Sequence, residues 1–169
     1  MTSHSLIGAM PRSVAEDILE FAHTTDKAVY RTALDAVASA RKLRSVFLER
    51  QPKAERYRTM IASLSRPAME AAADALIRNW LLKKHNALLI DFMDALNIQH
   101  EKGVVSELPG TVDDALLRNA VESILTRHPA DVVSVYLRAF NGMNSENWAN
   151  LESILATDTR LQWSAPAPA

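Results

Sequence analysis

Only four of the 169 residues are glycine, while leucine, alanine and other helix formers recur at spacings of three and four. That pattern constrains the chain to helices, because good helix formers dominate and β-branched residues never alternate over the length of a strand. The sequence predicts an all-α fold, an irregular bundle of about seven to eight helices with a long central second helix. Residues 1–163 read as a single all-helical domain, and 164–169, Ser-Ala-Pro-Ala-Pro-Ala, as an extended Ala/Pro tail without a packing face.

Hydrophobic residues make up 48% of the chain, enough for a core without covalent staples. The absence of cysteine excludes disulfides, thiolate metal ligands and cysteine nucleophiles, and fits a reducing cytoplasm. Met1 to Met10 lacks the basic start and long apolar run of a signal peptide. No stretch reaches the roughly 20 apolar residues of a membrane span. A cytoplasmic protein with no membrane partner is the expectation.

The first helix is expected from Pro11 or Ser13 to about His23, opened by a capping box between Ser13 and Glu16. The second runs from Asp26 to Arg50. Its Val29, Ala33, Ala36, Ala40, Leu43 and Phe47 alternate spacings of four and three, so Ala36 and Ala40 are expected against another helix. Pro52 then starts a third helix ending near Leu64, and Ser65-Arg66-Pro67 a fourth. A break near His85-Asn86 is favoured over one helix of about 30 residues, since helices average 11–12 residues. Leu88, Leu89, Phe92, Met93 and Leu96 form the apolar face of the piece that follows.

Residues 97–110 hold two of the four glycines and read as a long loop, a place where function often sits. Thr111 is the expected cap of the next helix, with Asp113 and Asp114 near its positive end. His128-Pro129 opens another helix. A last one is expected from Asn144 or Ser145, packing through Trp148, Leu151, Ile154 and Leu155.

The net charge is only −1, but it is unevenly spread. Residues 1–66 hold 11 basic and 7 acidic side chains, a net +4, and residues 67–169 hold 8 and 13, a net −5. The densest cluster is Arg41, Lys42, Arg44, Arg50, Lys53, Arg56 and Arg58, opposed only by Glu49 and Glu55. Arginine's planar fork suits carboxylates and phosphates, so this cluster is the candidate surface for an anion or an acidic protein face. The bland alternative is a solvated helix face, or pairing with acids of the same chain.

Three further features were weighed. Asp91, Asp94, His100 and Glu101 form a looser set in which Asp91 and Asp94 share a helix face, a candidate acid/base or ligand cluster. Glu20-Phe-Ala-His23 has the spacing of di-iron bundle ligands, but it occurs once where such sites need two. A helix-turn-helix would use Ala130–Phe140, a turn at Asn141-Gly142-Met143 and Ser145–Ala156. Its second helix would carry Glu146 and Glu152, with Asp158 just beyond and no lysine or arginine, which repels phosphate. There is no Gly-x-Ser-x-Gly elbow and no phosphate-cradling glycine loop.

The expectation is a non-catalytic interaction or scaffolding module, a homo-oligomer or a binder of another protein, without cofactor or metal. A small helical enzyme or ligand-binding protein using the Asp91–Glu101 region is the alternative. A regulatory DNA-binding protein ranks third, and nucleic acid is disfavoured as a partner.

Overall fold

The computed structural model describes residues 1–143 and 147–163; the expected start of the last helix at Asn144 or Ser145 and the 164–169 tail lie outside them. The fold is all-α. Ten α-helices and two short 3₁₀ turns occur among the described residues, and no strand does. The chain divides into two compact units, residues 2–80 and residues 81–163 together with Met1.

The first unit holds α1 (Ser3–Ala9), α2 (Arg12–Thr25), α3 (Lys27–Ala40), α4 (Ser45–Glu49), α5 (Lys53–Leu64) and α6 (Glu70–Lys84) as far as Trp80. Helix α2 packs on α3 and α5, and α1 on α5. Leu6, Ile18, Leu19, Leu34, Leu48, Met60, Leu64, Leu76, Ile77 and Trp80 fill its core. Each such side chain contributes on the order of 1.5–3 kcal/mol by leaving water.

Helix α1 had no local signature, and its cap explains why. The Glu70 carboxylate accepts from the backbone amides of Ser3 and His4, each at 2.9 Å, across 67 and 66 residues of sequence. The expected capping box of α2 does not form. Its N-cap is Pro11, and Glu16 instead accepts from Arg12 Nε at 2.7 Å. Asp26 does cap α3, accepting from the Val29 amide at 3.3 Å.

The long second helix is interrupted. Helix α3 ends at Ala40 in a reverse turn with Lys42 at φ 56°, where the Lys42 amide donates to Ser39 and the Leu43 amide to Ala38. This is the Schellman arrangement, usually built on glycine. A lysine holds the left-handed position here, so no residue type marks the stop. The break rotates the chain, and the seam expected along one face is not the buried one. Tyr30, Ala33, Leu34, Val37 and Ala38 are buried, Ala36 is half-buried and Ala40 is exposed. Ala40→Leu should therefore change stability by no more than about 0.5 kcal/mol in thermal melts.

The second unit contains α7 (Asn86–Ala95), α8 (Asp114–Arg127), α9 (Ala130–Met143) and α10 (Ala149–Thr157). Its core centres on Phe92, whose ring meets Tyr136 and Phe140 edge-on at 5.6 and 5.7 Å, with Trp148 beyond Phe140 at 5.2 Å. The break at His85 falls where it was favoured. The cap of α8 is Asp113, not Thr111, and accepts from the Leu116 amide at 3.0 Å. Asn141-Gly142-Met143 is no turn: it is the last part of α9, which removes the three-residue corner of the helix-turn-helix alternative.

Candidate functional site

The cation-rich segment is built around the interrupted helix. Helix α4 is five residues long, and Leu48, fully buried, is the side chain that holds it down. With Leu48 inward, its neighbours face out: Leu43 is 43% exposed, Val46 39% and Phe47 56%. Among the described residues seven large apolar side chains are exposed, and three of them fall within these five positions. Asp35 receives the Ser45 hydroxyl and Glu49 the Arg31 guanidinium, so two nearby carboxylates are occupied without drawing on the cluster.

The seven cations separate into two groups. Arg41 reaches Ser63 Oγ at 3.4 Å, Lys53 pairs with Glu20 at 2.7 Å, and Arg56 donates to the Glu49 carbonyl at 2.9 Å. Those three serve the unit itself. Lys42, Arg44, Arg50 and Arg58 are exposed, and their side chains have no ion pair or hydrogen bond among the described residues. Lys42, Arg44 and Arg50 interleave with Leu43, Val46 and Phe47 along one corner between α3 and α5.

Glu20 and His23 do come together, but on a tyrosine. The buried Tyr57 hydroxyl donates to Glu20 at 2.7 Å and lies 3.3 Å from His23 Nδ1, while the His23 ring stacks on Tyr30 at 4.4 Å. Lys53 and Tyr57 donate to Glu20 and hold its carboxyl below the usual range. Burial, reinforced by the bond to Glu20, pushes the Tyr57 phenol well above its ordinary value, so it stays a donor. No group of three or more metal-ligating side chains occurs among the described residues.

The Asp91–Glu101 set is divided. Asp91 accepts from His128 Nε2 at 2.7 Å and faces Arg127 at 3.5 Å. Asp94 pairs with His100 Nε2 at 2.8 Å. The Gly103 amide donates to His100 Nδ1 at 2.9 Å, so Nδ1 is unprotonated and Nε2 carries the hydrogen given to Asp94. One ring nitrogen is thereby spent on helix α7 and the other on the loop. Glu101 is exposed, and its backbone exchanges two hydrogen bonds with Val104.

The sequence exposed the cations but not their partition, and it placed Leu43 and Phe47 in the core. A stop signal at Lys42 was the missing information. Comparison with known proteins finds no family model that matches the chain, and no curated protein or solved structure that matches it significantly.

Proposed function

We propose that this chain is a non-catalytic helical interaction module, and that its docking face is the corner carrying Lys42, Leu43, Arg44, Val46, Phe47 and Arg50. The observation that supports this is the coincidence of three exposed apolar side chains with three unpaired cations along nine residues. Exposed apolar residues scattered singly need no explanation, whereas a clustered set rimmed by charge marks a recognition surface. Aromatic and arginine side chains are the usual anchors of such surfaces, and the cations favour an acidic partner and speed the encounter. The catalytic alternative has less support, since Asp91 and His100 each answer to a different partner.

Replacing Phe47 with the photocrosslinker p-benzoylphenylalanine in the producing cell tests the reading. Irradiation should give a protein adduct at position 47, well above that from the same residue at the exposed control position Ala87. No adduct above the control would reject the docking face.

A further inference from the structure

We infer that the partner of this corner is a second copy of the chain, docked through the acidic groove of the 99–107 loop. This rests on the docking-face reading above. The groove has a volume of about 500 Å³ and is lined by Gln99, His100, Glu101, Val104, Ser106 and Glu107. Val104 is 54% exposed, and Glu101 and Glu107 are exposed with no ion pair among the described residues. An apolar side chain between two free carboxylates is the complement of Phe47 and Val46 among Lys42, Arg44 and Arg50.

Charge accounting favours this groove over two other concavities that hold more than one carboxylate, where the acids are already engaged. Glu16 is taken by Arg12, Asp17 by the Trp80 indole and Glu20 by Lys53, while Arg160 takes both Glu122 and Asp158. Lys102 lies between the two glutamates in sequence but does not line the groove, whose lining holds two carboxylates and no lysine or arginine. The imbalance of +4 before residue 67 and −5 after it has the same sense.

Each chain offers one corner and one groove, so the product is a two-fold dimer that uses both contacts, a larger closed ring or an open row. A dimer in which the corner met its own copy would bring Lys42, Arg44 and Arg50 together and is disfavoured.

Light scattering on the whole chain tests this with two triple- and double-charge variants, K42E/R44E/R50E and E101K/E107K, both confirmed as folded by circular dichroism. Wild type should be a dimer or larger at about 0.05 M salt and fall toward monomer at about 1 M, where the Debye length is about 3 Å. Each variant alone should be monomeric. Their mixture should associate again, because the intact groove of the first meets the intact corner of the second and the reversed corner of the first meets the reversed groove of the second. The chain carrying all five changes should associate again. Monomeric wild type at low salt and high concentration overturns the inference, as does a mixture that fails to pair. The docking-face reading fails separately: an adduct at position 47 to a foreign protein removes the second copy and keeps the face, whereas no adduct removes both.

Discussion

Trp80→Ala should cost about 3–5 kcal/mol, the range for truncating a large aromatic in a packed core. Trp80 is 1% exposed and is the largest fully buried side chain of the first unit. Truncation opens a void that neighbours such as Leu76 and Ile77 cannot fill without leaving their own places. It also takes the indole donor from Asp17, 2.8 Å away, and a carboxylate deprived of a donor in a part-buried site adds to the loss. Calorimetry should show a melting temperature lower by about 10 °C or more. Trp80→Phe keeps most of the volume and should lose clearly less. Equal losses in the two variants would assign the whole effect to the hydrogen bond.

Gly103→Ala is expected to cost about 2–4 kcal/mol, from two causes that add. The residue sits at φ +83°, where a side chain costs on the order of 1–3 kcal/mol. A Cβ there would also lie 2.5 Å from Leu89 Cβ and 3.1 Å from the Ile90 nitrogen, both part of the packed helix α7, so relief requires the helix to move. Gly8 offers the contrast: its Cβ would meet only Ser65 Cβ at 3.2 Å, and it lies in α1. In urea titrations of both variants, Gly8→Ala should be close to neutral. If the two variants lost the same stability, the close packing of the loop on α7 would be wrong.

What the sequence revealed follows from how local its causes are. The start of α3 at Asp26 and the apolar face from Leu88 to Met93 rest on a cap and on periodicity within a few residues, and both were legible; the break at His85 carries no side-chain cap and followed from helix length alone. Helix α1 was not, because its amides are capped by Glu70 from another helix. The end of α3 was not, because Lys42 takes a conformation that sequence rules assign to glycine. That single turn carried the largest consequence. Heptad spacing continues across it from Ala40 to Leu43 and Phe47, so a surface read as a core seam. Asn97 closes α7 in the same way at φ 55°, and there asparagine, a residue that tolerates the conformation, marked the end of the helix.

For the candidate site, the seven cations were visible as a cluster, but their division depended on the placement of Ser63, Glu20 and the Glu49 carbonyl. The Asp91–Glu101 set was misleading for a related reason. Two aspartates three apart share a helix face, yet His128 and His100 draw them to different partners.

We propose that Phe47 is kept exposed for a partner and not for the fold. Measuring stability and association together on Phe47→Ser tests it most directly. The variant should melt within about 4 °C of wild type, as for a change of about 1 kcal/mol or less at a largely exposed position, and lose association at low salt. A variant that melts many degrees lower, while associating as wild type does, would place Phe47 in the core and leave the partner without a role.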